Sequence, residues 1–107
     1  MHVVIFEVEP HHKEKDSYLE IATQLRAELE SIDGFISVER FQSLTNPNKL
    51  LSLSVWRDET AISVWRNKNS HQLAQKKGRD KLFAAYRIRV ANVIRDYDLA
   101  NSPWQNN

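Results

Sequence analysis

Residues 50–71, LLSLSVWRDETAISVWRNKNSH, predict a β-strand that turns directly into a helix. Within residues 51–56, every second position is leucine or valine, and the positions between them are serine or tryptophan. This two-residue period is typical of a strand with two different faces. Asp58 offers a side-chain acceptor to the first free N–H groups of the helix that follows. Trp56 and Trp65 lie on either side of this corner, and we expect a concave surface beside Trp65.

The chain before this corner predicts a strand, a helix and a second strand. Residues 2–8 carry apolar side chains at both alternating positions, so we expect both faces of this strand to be covered. Ser17 and Glu20 have the spacing of a capping box, and apolar residues then recur at three- and four-residue steps. Gly34 fits the left-handed position that ends a helix, and residues 35–44 form the second predicted strand.

Turn and helix signals predict the remaining elements. Residues 45–48, Thr-Asn-Pro-Asn, favour a reversal that makes the second and third strands an antiparallel hairpin. A further helix is predicted over residues 70–83, although Gly78 disfavours its continuity. The last strand is predicted over residues 86–97, and a mostly polar tail follows.

The predicted order is β-α-β-β-α-β, the ferredoxin-like α+β fold. One domain spans residues 2–98, and residues 99–107 are the C-terminal tail. Helices cover one sheet face in that fold, and here the opposite face still carries apolar side chains on three strands. A second copy of the chain covers such a face most simply. We therefore expect a homodimer whose sheets meet face to face as a dimeric α+β barrel, with a pocket in each protomer between sheet and helices.

The composition narrows the possible functions. The chain has 107 residues, a formal net charge of +1 and no cysteine. The balanced charge disfavours binding to nucleic acid or to anionic membranes, and the lack of cysteine excludes thiolate catalysis and cysteine-based metal sites. No apolar run approaches the length of a membrane span, and no signal peptide is evident. We expect a cytoplasmic protein without a bound metal ion.

Three residues have both a structural and a functional interpretation. Glu7, among apolar neighbours, faces the open side of the sheet or pairs with Arg40 or an arginine of the last strand; alternatively it is a pocket acid or base with a raised pKa. His71 is either an exposed residue of a polar helix or a base in the pocket. Trp65 is either a core residue or part of the pocket wall.

The corner VWRDETAISVW, the spacing Asn67-x-x-Ser70-His71 with Ala74-Gln75, and the closing RVANVIRDY resemble the antibiotic biosynthesis monooxygenase (ABM) domain family. The resemblance extends from the first strand to Tyr97. It implies a dimeric α+β barrel with one of three activities, namely cofactor-independent oxygenation of phenolic polycyclic substrates, haem degradation, or oxidation of quinol-type substrates.

The cofactor-free branch of that family uses a helix tryptophan, a polar aromatic residue and an arginine of the last strand. Trp65, His71 and Arg87 or Arg89 stand in roughly those places. The resemblance implies that His71 accepts a proton from the substrate, that an arginine stabilises the anion, and that Trp65 stacks on the ring. With Glu7 as a further pocket residue, these are the predicted catalytic residues of a monooxygenase that uses O2, a small aromatic molecule and no cofactor.

Two alternatives stay open. One is a non-catalytic dimeric module that binds a ligand or responds to stress. The other is a haem-binding or haem-degrading protein, whose family pattern needs an asparagine on strand one and a proximal histidine after the tryptophan. Those positions fall on or near Glu7 and Gln75, and glutamine is a poor iron ligand. His71, one helical turn before Gln75, is the residual ligand in that interpretation.

Overall fold

The computed structural model describes residues 1–76 and 79–102, with side chains described outside residues 69–80. The elements in chain order are β1 His2–Pro10, a 3-10 turn His12–Glu14, α1 Lys15–Glu30, β2 Phe35–Gln42, β3 Leu50–Trp56, α2 Glu59–Lys76, α3 Arg79–Leu82 and β4 Phe83–Asn92. The strands form one antiparallel sheet in the order β2-β3-β1-β4. The predicted ferredoxin-like α+β fold is confirmed.

The sheet has two chemically different faces, because directly paired residues on neighbouring strands point to the same side. The helix-covered face includes Val4, Phe6 and Val8 of β1, Val38 and Arg40 of β2, and Leu50, Ser52, Ser54 and Trp56 of β3. The open face carries Val3, Ile5, Glu7, Leu51, Leu53, Val55, Arg87 and Arg89. The open face therefore combines an apolar centre with charged residues on β1 and β4.

The core beneath the helices consists of two separate clusters. The first contains Val8, Tyr18, Leu50, Leu82 and Phe83. The second contains Leu29, Trp56, Ala61 and Ile62. Between the clusters the sheet presents Arg40, Ser52 and Ser54 to the helices. The hydrocarbon core is thus interrupted by three polar side chains at its centre.

The strand-to-helix corner has the geometry that its sequence predicts. The Ala61 N–H donates to Asp58 Oδ1 at 2.9 Å, so Asp58 caps α2. The Arg57 guanidinium donates to both carboxylate oxygens of Asp33 at 3.1 Å, and the Arg57 N–H donates to the Gly34 carbonyl at 2.7 Å. Gly34 has a φ of 98°, the left-handed conformation expected just after a helix. These contacts fix the start of α2 against the end of α1.

The predicted start of the first helix is wrong. Ser17 does not cap it, because α1 already begins at Lys15 after the 3-10 turn. Glu14 occupies the N-cap position and makes no side-chain capping hydrogen bond. The preceding turn supplies the entry into α1, so a capping box is not needed at Ser17.

The predicted boundaries after the corner also need correction. The helix that carries Trp65 does not end before residue 70 but continues to Lys76, because no proline or glycine interrupts residues 59–76. Gly78 lies outside the described residues. The last strand covers Phe83–Asn92 rather than residues 86–97, since it pairs with β1 along the whole length of that strand. Within the described chain, no helix combines the length and the apolar character needed to cross a bilayer.

Candidate functional site

A cavity of about 90 Å³ lies between the helix-covered face and the helices α1 and α2. It occupies the gap between the two core clusters, and residues of both clusters line it. The apolar stripe of α1 and the Trp65 side chain of α2 form its walls, and the floor includes Arg40, Ser52 and Ser54. The structure thus has a cavity where the sequence predicts one, between sheet and helices beside Trp65.

The floor of the cavity is polar. Arg40 is directly opposite Ser52 in the pairing of β2 with β3, and Ser54 is opposite Val38 in the adjacent row. Side chains directly opposite each other have Cβ atoms about 5 Å apart, so these three polar groups share a small area. Among the described residues that line the cavity, none is acidic. The floor therefore offers hydrogen-bond donors with a net positive charge.

The hydroxyl of Ser54 is oriented by a neighbouring tryptophan. The Trp56 Nε1–H donates to Ser54 Oγ at 2.8 Å, and both residues are buried. The oxygen therefore acts as an acceptor, and no described residue accepts the hydroxyl proton of Ser54. Ser54 is left as a hydrogen-bond donor at the cavity floor.

The Tyr18 hydroxyl of α1 meets the Arg40 guanidinium at the cavity. Burial raises the pKa of the Tyr18 phenol above its ordinary value, and the positive charge and hydrogen bond of Arg40 oppose that rise. The phenol stays protonated at neutral pH. Arg40 Nε is also shielded from solvent, and it has no hydrogen-bond partner among the described residues. An unsatisfied buried donor costs about 1–3 kcal/mol, so a ligand acceptor at this position would be stabilised.

Trp65 has both of the roles considered for it. It is half-buried, packs against the second core cluster and lines the cavity. Its indole therefore offers a flat wall to a ligand while it is held by hydrocarbon behind it. His71 and Gln75 lie further along α2, and their side chains are outside the described part of the structure. The role of His71 stays a prediction.

Glu7, Arg87 and Arg89 lie on the open face, and the protomer does not bring them to the cavity beside Trp65. Glu7 Oε2 accepts from Arg89 Nη1 at 2.6 Å, and Glu7 Oε1 is 3.2 Å from Lys49 Nζ. Hydrogen bonds from Lys49 and Arg89 lower the pKa of Glu7. The predicted pairing with an arginine of the last strand is confirmed, whereas a pocket acid would need a raised pKa.

The polar floor is the part of the site that sequence reasoning misses. The sequence does contain a signal for it, because a β2–β3 hairpin in this register places Ser52 opposite Arg40 and Ser54 in the neighbouring row. Serines that alternate with leucines on a strand ordinarily indicate a solvent-facing side. Here the helices cover the serine side, which places the polar residues inside the domain.

The structure is thus a small α+β domain, in which an antiparallel sheet carries helices on one face and a tryptophan-lined cavity lies between them. Residues 1–77 match the family model described as Antibiotic biosynthesis monooxygenase. That match covers well over half of the chain and includes the strand-to-helix corner and Trp65. The protein belongs to the antibiotic biosynthesis monooxygenase family.

A protein named Jasmonate monooxygenase ABM from Pyricularia oryzae is 48% identical over 93 residues, which are 87% of this chain and 43% of that protein. The chain thus spans less than half the length of this curated relative. The structure of Rv0793 from Mycobacterium tuberculosis has a TM-score of 0.76 at 15% identity, covering 91% of this chain and 98% of that one. A MhuD variant with two manganese protoporphyrin IX molecules bound per active site has a TM-score of 0.72 at 12% identity, covering 92% and 99%. Both solved structures share the fold.

A bound haem would need an axial ligand supplied by the protein. The described residues that line the cavity include no histidine to ligate iron, and cysteine is absent from the sequence. No group of three or more histidine, aspartate or glutamate side chains suited to a metal ion occurs in the described part of the chain.

Proposed function

We propose that this protein is a cofactor-independent monooxygenase that oxygenates a small ring compound in the cavity beside Trp65. The observation that carries the proposal is a mostly apolar cavity with an indole wall and a polar floor, in a chain 48% identical to a monooxygenase over 93 residues. Apolar walls with a few convergent polar groups are typical of small-molecule sites. The indole suits stacking on a flat or nearly flat ring.

The substrate class follows from the supply of electrons. Without a cofactor, the substrate itself must provide the electrons that O2 accepts. A phenol, a quinol or an enolisable ring ketone loses a proton, its anion passes one electron to O2, and the resulting radicals combine. Conversion of CH2 to C=O by O2 releases H2O, so the substrate supplies all the electrons. Jasmonate, which the name of the Pyricularia oryzae relative specifies, is a ring ketone that also carries a carboxylate.

The residues divide between two surfaces in this proposal. Trp65 stacks on the substrate ring, and His71, whose role is predicted from the sequence, accepts the substrate proton. Glu7, Arg87 and Arg89 stabilise the contact between two protomers, because they lie beside the apolar residues of the open face. The homodimer buries that face and leaves the cavity on the helix side of each sheet.

Oxygen uptake tests this function most simply. Hydroquinones, anthrone-type phenols and jasmonate are supplied in turn, and 18O2 labelling of the product separates oxygenation from plain oxidation. We expect uptake by the wild type with at least one of these substrates. Ligand binding without oxygen uptake by any of them would instead support the non-catalytic binding module. A stoichiometric Soret shift on addition of haemin would support the haem-binding alternative.

Substitutions then test the residues. Trp65→Phe keeps an aromatic wall of smaller area and should lower kcat/KM by about 3- to 10-fold. His71→Ala removes the predicted base and should lower kcat by about 100-fold or more. Arg66→Gln changes an exposed neighbour of Trp65 and serves as the control with wild-type activity. Wild-type rates in both site variants would contradict this site even if the activity exists.

A further inference from the structure

Arg40 differs from the other arginines whose contacts are described. Arg26, Arg57 and Arg89 each make an ion pair with a carboxylate at the protein surface. Arg40 makes no ion pair among the described residues, although it is the most shielded of the four, with its Nε closed off from solvent. A positive charge therefore faces the cavity without a counter-ion among the described residues.

This arrangement is costly for the folded protein on its own. Arg40 is half-buried and its guanidinium contacts the Tyr18 hydroxyl, but its Nε is shielded from solvent and has no acceptor among the described residues, so this N–H loses hydration that no described group replaces. Arginine cannot escape the cost by losing its proton. The cost is recovered when an anion enters the cavity, because a carboxylate accepts two parallel hydrogen bonds from a guanidinium.

The groups around Arg40 favour a carboxylate over a neutral ligand. Ser52 is directly opposite Arg40, and Ser54 in the next row retains a hydroxyl proton without an acceptor among the described residues. Tyr18 adds a phenol from the α1 side. These groups are all able to donate, and no carboxylate among the described lining residues competes with an anionic ligand. The surrounding walls are apolar, so the ligand must carry hydrocarbon next to its charge.

We propose that Arg40 binds a carboxylate group of the substrate, so that the enzyme acts on an apolar ring compound that carries a carboxylic acid. This inference rests on the proposed oxygenase function and narrows its substrate class. A cavity of about 90 Å³ holds the carboxylate and the adjoining carbon atoms. The ring lies against Trp65, and the remainder of the molecule extends past Arg26, the exposed lining residue that marks the opening.

Binding of acids and their methyl esters tests the charge directly. Calorimetric titration under nitrogen, which prevents turnover, compares jasmonate with methyl jasmonate and cyclohexylacetate with its methyl ester. The wild type should bind each acid about 10- to 100-fold more tightly than its ester, the ratio expected for a hydrogen bond to a charged group. Arg40→Gln should weaken the acids by that factor, leave the esters unchanged and reduce the ratio to about one. Arg95→Gln, at an exposed position, is the matched control.

Three results would overturn the proposal. The wild type binds acid and ester equally; Arg40→Gln retains the preference for the acid; or neither acid binds at millimolar concentration.

A second pair of variants separates binding from folding, namely Tyr18→Phe alone and Tyr18→Phe combined with Arg40→Met. The double variant should have a Tm equal to or above that of Tyr18→Phe, because Arg40 makes no ion pair with a described residue. A much lower Tm in the double variant than in Tyr18→Phe would show that Arg40 is a structural residue.

The failure of this inference and that of the proposed function give different results. Arg40-dependent binding of the acids without oxygen uptake would retain the carboxylate site and reject the oxygenase. Oxygenation of the esters at the rate of the acids would retain the oxygenase and reject the carboxylate site.

Discussion

Replacing Ser54 by alanine should lower the free energy of unfolding by about 2 kcal/mol. Trp56 is 0% exposed, and its Nε1–H donates to Ser54 Oγ at 2.8 Å. Removal of the hydroxyl leaves a buried donor that water does not reach, and such a donor costs about 1–3 kcal/mol. In a domain of this size each kcal/mol changes Tm by about 4–8 °C, so Tm should fall by about 8–16 °C.

Thermal and urea unfolding of four variants isolate the cause. Ser52→Ala is the matched control, because Ser52 lies on the same face of the same strand and makes no side-chain hydrogen bond to a described residue; its effect should stay below about 0.5 kcal/mol. In a Trp56→Phe background, Ser54→Ala should lose most of its effect, since no indole N–H is then left unsatisfied. Equal effects of the two serine substitutions, or strict additivity with Trp56→Phe, would refute this reasoning.

Three other changes have defined outcomes. Gly34→Ala should destabilise the protein by about 2–4 kcal/mol in urea unfolding, because φ is 98° and the new Cβ lies 2.8 Å from a side-chain carbon of α2; a neutral effect would contradict this geometry. The hydrogen bond from Arg57 lowers the pKa of Asp33, so this ion pair stabilises the folded protein above about pH 4 and ceases to do so as the pH falls further. When Tm is measured against pH, Arg57→Gln should therefore lose less Tm on acidification than the wild type. Identical profiles of the two proteins would contradict this role of the ion pair. Light scattering at micromolar concentration should report a dimer that Leu53→Lys disrupts, with Leu44→Lys, at a 99% exposed position, as control, and a monomeric wild type would contradict the dimer.

The order of elements is predictable because its signals are local. Alternation along β3, the cap at Asp58 and the left-handed Gly34 each act within a few residues, and the structure confirms all three. The features that determine where α2 and β4 end are not local in the sequence. The helix continues to Lys76 because no residue breaks it, and β4 ends at Asn92 because β1 provides pairing only that far.

The candidate site is only partly predictable, because its polar floor depends on which sheet face the helices cover. The position of Trp65 is predictable, because the sequence indicates the helix that carries it. Arg40 is a reasonable partner for Glu7 from composition alone, but the register pairs Arg40 with Ser52 and Ser52 with Phe6, so Arg40 and Glu7 lie on opposite faces. A shift of one residue in pairing would exchange these faces, and sequence patterns do not fix pairing to that accuracy.

A crystal structure of the protein with jasmonate would test most directly whether substrate binds between the helices and the sheet. We predict the carboxylate within hydrogen-bond distance of Arg40 and the ring against Trp65. A ligand on the open face beside Glu7, Arg87 and Arg89, with the cavity above Ser52 unfilled, would contradict this site and the substrate class inferred from it.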